Sequence, residues 1–98
     1  MKIKLHEDDI PSALKLGDKI AIDTEAMGLN HHRDRLCLIQ ISSGNGTCHL
    51  IKINNPIKKP KNLLKILNDK NILKIFHYAR FDVGILNYSY NINIKNIF

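Results

Sequence analysis

At 98 residues, 44% of them hydrophobic, the chain makes one domain at most, and a domain of this size buries only about 60–65% of the surface its unfolded form exposes. The hydrophobic share excludes a wholly disordered chain, and runs such as Leu36 to Ile39 are far shorter than the roughly 20 residues of a membrane helix, so no membrane partner is expected. The formal net charge of +6 fits a polyanionic partner, although the lysines are scattered through a chain rich in Ile and Asn, as an AT-rich coding sequence would produce.

In chain order, Ile3 to Leu5 reads as a short edge strand. The N-terminus turns acidic at Glu7-Asp8-Asp9 where a secretory signal would need an apolar core, and a cytoplasmic location is expected. Asp8 to Leu16 reads as a turn leading into an irregular or helical segment. Lys19-Ile20-Ala21-Ile22-Asp23 is a β-branched run that passes into a loop at Gly28. Arg35 to Ser42 is almost continuously apolar, the pattern of a strand covered on both faces. Ser43-Gly44-Asn45-Gly46 supplies turn chemistry, read here as a two-residue Asn45-Gly46 hairpin with Gly44 opposite Thr47, and Thr47 to Ile53 returns as a third strand. In that register Cys37 lies far along the ladder from Cys48, and both are expected as free, buried thiols.

Asn54 to Lys61, with Pro56 and Pro60, breaks the period-2 pattern. Leu63, Leu64, Ile66 and Leu67 then form one side of a short helix. Ile72 to His77 reads as a further strand reached by a helical crossover, and Ala79 to Tyr88 as a second helix with Phe81, Ile85 and Tyr88 on its apolar face. Asn91 to Phe98 alternates like the start of another strand. The order predicts an α/β fold: a three-stranded antiparallel meander, then helix, strand, helix and the start of a fifth strand.

Asp23 and Glu25 stand two apart at a strand end, so an extended backbone puts their carboxylates on one face with Cα atoms roughly 6.6–6.8 Å apart. Two carboxylates so placed converge on one cation; the plainer reading is an Asp capping a turn beside a solvated Glu. The wider stretch Ile20-Ala21-Ile22-Asp23-Thr24-Glu25-Ala26-Met27-Gly28-Leu29, followed by Arg33 to Ile41, resembles the first motif of ribonuclease D-like 3'-5' exonucleases. Phe76-His77-Tyr78-Ala79-Arg80-Phe81-Asp82-Val83 resembles the second motif of that family, in the right order along the chain.

The resemblance implies a truncated ribonuclease H-like fold, with residues 1–98 as the first part of a catalytic domain. It also implies Mg²⁺ or Mn²⁺ as cofactor, two ions in the family, with Asp23 bridging both, Glu25 on the nucleophile side and Asp82 holding the second. Thr24, Met27, Gly28 and Leu29 correspond to the place where the family admits the 3'-terminal nucleotide, and RNA or single-stranded nucleic acid is the implied substrate. His77 reads equally as a substrate contact or as a main-chain hydrogen-bonding group, and Arg80 as a phosphate contact or an ion-pair partner. The family's third motif, which carries a fourth carboxylate, has no match in residues 1–98, so impaired activity is expected. The rival readings are a non-catalytic remnant, or a half that joins a second polypeptide or self-associates through an unfinished sheet. His31, His32 and Arg33 form a basic loop without a third metal ligand at suitable spacing. Lys58, Lys59, Lys61 and Lys65 either steer a polyanion or form a solvated face.

Overall fold

Five strands and two helices are arranged along the chain as β1 (Lys2–Glu7), β2 (Lys19–Ala26), β3 (Leu36–Ser42), β4 (Thr47–Lys52), α1 (Lys61–Leu67), β5 (Leu73–Phe76) and α2 (Ala79–Tyr90). They are seen in a computed structural model that describes residues 2–27, 35–55, 57–77 and 79–98. One sheet holds all five strands in the order β1-β4-β3-β2-β5. The expected meander is present: β2 with β3 and β3 with β4 run antiparallel. Outside it, β1 lies parallel to β4 at one edge and β5 parallel to β2 at the other.

Register assigns each side chain a face, because directly paired residues project to the same side. On one side Ile20, Ile22, Ile39, Ile41, Ile51 and Phe76 are buried and pack with Leu63 and Leu67 of α1 and Ile85, Leu86 and Tyr90 of α2. On the other side Ala21, Asp23, Glu25, Gln40 and Ile75 are exposed and Leu38 and Leu50 are half-buried. The near-continuous apolar run of β3 therefore does not lie between two covering layers; its burial alternates because both helices pack on the same face of the sheet.

Three local expectations change. The β3–β4 connection is longer than a two-residue hairpin, since Ser42 pairs with Cys48. A type I′ turn needs positive φ at two consecutive central residues, whereas here Gly44 (φ 81°) and Gly46 (φ 86°) flank an Asn45 outside that region. Asn45 Oδ1 instead accepts the Thr47 N–H at 3.0 Å. The cysteines stay apart as free thiols, Cys48 buried and Cys37 half-buried. In α2 the buried residues are Asp82, Ile85, Leu86 and Tyr90, while Tyr88 is 53% exposed. A carboxylate occupies the inward face, which hydrophobic periodicity cannot register. At the chain's end Ile97 forms a parallel bridge with Lys74, extending the sheet beyond β5 at one point.

Two polar anchors hold this arrangement. Pro60 gives α1 no side-chain cap, and Asp9 takes that role from a distance: its Oδ2 accepts the Asn62 N–H at 2.9 Å and its Oδ1 the Leu63 N–H at 3.0 Å. Lys74 is fully buried, and its ammonium donates to the carbonyls of Asp69 and Lys95, joining the start of β5 to the C-terminal stretch. Burial depresses the Lys74 pKa, partly offset by Asp69.

Candidate active site

The end of β2 brings two carboxylates to the open face of the sheet. Asp23 and Glu25 are exposed, opposite Gln40 and Leu38 of β3. Asp23 Oδ1 accepts the N–H of Thr24 at 3.0 Å, which orients that carboxylate at the strand end. Immediately beyond Glu25 the ladder slips: Glu25 pairs with Leu38 but Ala26 with Leu36, leaving Cys37 as an extra residue. Such a bulge kinks a strand and re-aims its neighbouring side chains, and bulges recur beside active sites.

Strand alternation turns Thr24, between the two carboxylates, to the covered side, where it is 8% exposed. Its hydroxyl donates to Asp82 Oδ1 in a buried hydrogen bond. Asp82 is 1% exposed and sits in the first turn of α2, where the partial positive charge of a helix N-terminus favours a carboxylate. Asp23 and Glu25 thus stand on the open face near the end of β2, whereas Asp82 lies in the helix layer behind Thr24. Among the described residues no three His, Cys, Asp or Glu side chains form a group that could hold a metal ion. The Thr24 hydroxyl, expected at the substrate, is directed to Asp82.

Because Ile22 pairs with Phe76, the end of β5 delivers His77 beside the end of β2. A groove of ≈ 350 Å³ runs over the open face here, lined by Ala21, Asp23, Gln40, Ser42, Ile75 and His77 among others. Arg80 is exposed in the first turn of α2, and Met27 is 72% exposed just past β2. Gly28 and Leu29, with His31, His32 and Arg33, lie outside the described residues. Sequence reasoning missed Gln40 and Ser42, which form the groove wall with Asp23; their polarity inside an otherwise apolar run was the available signal.

A sheet of this topology with Asp-x-Glu near the end of β2 and an aspartate in the first turn of α2 defines a class. The family model for the 3'-5' exonuclease matches residues 3–98, and the chain belongs to that family. Among solved structures, Brucella melitensis NrnC bound to pGG is 45% identical with a TM-score of 0.94, over 100% of this chain and 48% of NrnC. The EXD2 exonuclease domain soaked in Mn and Mg is 28% identical with a TM-score of 0.69, over 84% of this chain and 42% of that one. Escherichia coli RNase D, an exoribonuclease involved in structured RNA processing, is 25% identical with a TM-score of 0.66, over 82% of this chain and 21% of RNase D. The chain spans about half the length of NrnC. No match is found among curated proteins. No helix among the described residues is long and apolar enough to cross a membrane.

Proposed function

We propose that this chain carries part of a catalytic site that hydrolyses phosphodiester bonds at the 3' end of RNA or single-stranded nucleic acid with Mg²⁺ or Mn²⁺. The observation that carries the reading is the exposed Asp23–Glu25 pair on the open sheet face, beside a groove walled by Gln40 and His77. An all-oxygen carboxylate set suits hard divalent cations. Asp23 and Glu25 would hold the ion, with Asp82 contributing from the helix side. When bound, such ions supply Lewis-acid chemistry, stabilising charge at the scissile phosphate and lowering the pKa of water.

The chain's own residues supply the remainder. In this reading His77 and Arg80, exposed at the β5–α2 junction, donate to a phosphate, and Met27, exposed past β2, offers an apolar surface to the terminal base. Gly28 and Leu29 are assigned to the terminal nucleotide on their place in the sequence motif alone. Thr24 acts as a positioning residue, holding the Asp82 carboxylate at the strand end.

The open face also favours a second reading, that this chain is one half of a catalytic unit. Leu38, Leu50 and Ile75 lie on the same face as Asp23 and Glu25 with neither helix over them, and NrnC is about twice as long. A further polypeptide on this face would bury that apolar surface and add ligands to the metal site. We therefore infer weak or no turnover by the 98 residues alone. Removing one preorganised group from an active site commonly costs on the order of 100- to 1000-fold in rate.

Both readings are tested by supplying Mn²⁺ and a 3'-labelled single-stranded RNA to wild type and Asp23→Ala, and by titrating Mn²⁺ into each. Mn²⁺ affinity lost in Asp23→Ala supports the metal site, and equal affinity defeats it. Robust release of mononucleotides by the wild type, abolished in the variant, would show that three carboxylates suffice and defeat the half-site reading.

A further inference from the structure

Away from the carboxylate end, α1 and the C-terminal stretch enclose a groove of ≈ 570 Å³, lined by Lys61, Leu64, Lys65 and Asn68 on one side and Ile92, Asn93 and Lys95 on the other. We propose that this groove is a second nucleic-acid contact, taking the phosphates of a single strand whose 3' end occupies the Asp23–Glu25 site. It rests on the exonuclease reading for its ligand, nucleic acid rather than another polyanion, and for the seat of the strand's 3' end.

Three exposed lysines converge here, and among the described residues no acidic side chain lines the groove. Like charges gathered without a counter-charge repel, and a polyanion relieves that repulsion. Lys65, in the last turn of α1, has a structural role at the negative end of the helix. Lys61 stands at the other end, where a helix by itself disfavours a cation and where the Asp9 carboxylate caps the Asn62 and Leu63 amides.

The walls are joined by tertiary hydrogen bonds. Lys95 N–H donates to the Leu67 carbonyl at 3.1 Å, and the buried Lys74 ammonium donates to the Lys95 carbonyl at 2.7 Å. The two segments thus form a preset groove, with Leu64 and Ile92 as apolar surface and the Asn68 and Asn93 amides beside it. The ammonium groups suit backbone phosphates, and the amide and aliphatic side chains offer polar and apolar surface to the bases between them.

Lys74 pairs with Ile20, three residues before Asp23 and five before Glu25. The groove lies on the helix side of the sheet, and Lys74, which ties Lys95 to β5, is offset from the carboxylates by roughly 10–17 Å along the strand direction. A dinucleotide seated at the carboxylates does not fill it; a longer strand reaches it.

The test measures binding by the full chain to a labelled single-stranded RNA of roughly ten nucleotides, by fluorescence anisotropy in EDTA so that cleavage cannot intervene. The groove variant is Lys61→Gln/Lys65→Gln/Lys95→Gln, and the control, Lys58→Gln/Lys59→Gln/Lys70→Gln, removes the same charge outside the groove. All six side chains are exposed, and circular dichroism verifies that both variants fold. The groove variant should lose at least about tenfold in affinity and about 2 in the slope of log affinity against log salt, from about 0.7 per lost phosphate contact. The control should lose clearly less, and dinucleotide binding should not change. Equal losses in the two variants, no RNA binding by the wild type, or inorganic polyphosphate binding as tightly as RNA overturns the proposal. Asp23→Ala keeps oligonucleotide binding in EDTA if the groove acts as proposed, so failure of the metal site and failure of the groove are read separately.

Discussion

Replacing Thr24 by Val keeps the side-chain shape and the β-branched strand preference while deleting the hydroxyl that donates to Asp82 Oδ1. Both partners are buried, Thr24 at 8% and Asp82 at 1% exposure, so water does not readily replace the lost donor. A hydrogen bond to a charged group contributes about 1.5–3 kcal/mol, and leaving the acceptor buried without that donor puts Thr24→Val at this level. For a chain of this size about 1 kcal/mol shifts Tm by about 4–8 °C, which gives a fall of about 6–24 °C. Thr24→Ser retains the oxygen and loses one methyl, about 0.8 kcal/mol of burial. Urea unfolding of wild type, Thr24→Val, Asp82→Asn and the double variant measures the coupling directly. Thr24→Val within about 0.5 kcal/mol of wild type, or a coupling below that size, would refute the positioning role assigned to Thr24. Run with Mn²⁺, the same set has a functional readout: stabilisation by the metal in wild type but not in Asp82→Asn ties Asp82 to the ion.

Asp9→Ala removes the acceptor for the Asn62 and Leu63 amides at the start of α1 and should cost about 1–2 kcal/mol, seen as a lower Tm by circular dichroism; an unchanged Tm would show that water caps the helix equally well. His49 is 4% exposed and shares a hydrogen bond of 2.9 Å with the stacked ring of His6. Its pKa is lowered from 6.5 by burial, then by His6 and Lys4. The unfolded chain thus takes up this proton first as pH falls, and stability fully present above pH 6.5 declines from there down to the depressed native value. Thermal melts across that interval should show a pH-dependent loss in wild type that His49→Phe reduces; parallel curves would exclude this source.

The pattern of residues along the chain was enough to locate the meander, the crossover helix and the helix opened by Asp82, because turn residues and a change from period 2 to period 3.6 are local signals. It was also enough to identify the family, since Asp23, Glu25 and Asp82 recur inside two motifs whose neighbours carry information as well. Tertiary structure decided what lies between those motifs. Nothing local requires Ser42, rather than Ser43, to oppose Cys48, or makes Cys37 the extra residue of a bulge; those pairings arise from the whole ladder finding one register. Lys2–Glu7 forms a full strand only because β4 offers it a parallel edge. Asp82 faces inward because Thr24, 58 residues earlier, meets it there, and Asp9 caps α1 across a comparable separation. Such pairings are set by the free energy of packing two distant segments together, which no window of sequence contains. The open face obeyed the same rule: β3 reads as apolar on both sides, and only the placement of α1 and α2 on one side determined which face carries Asp23 and Glu25 uncovered.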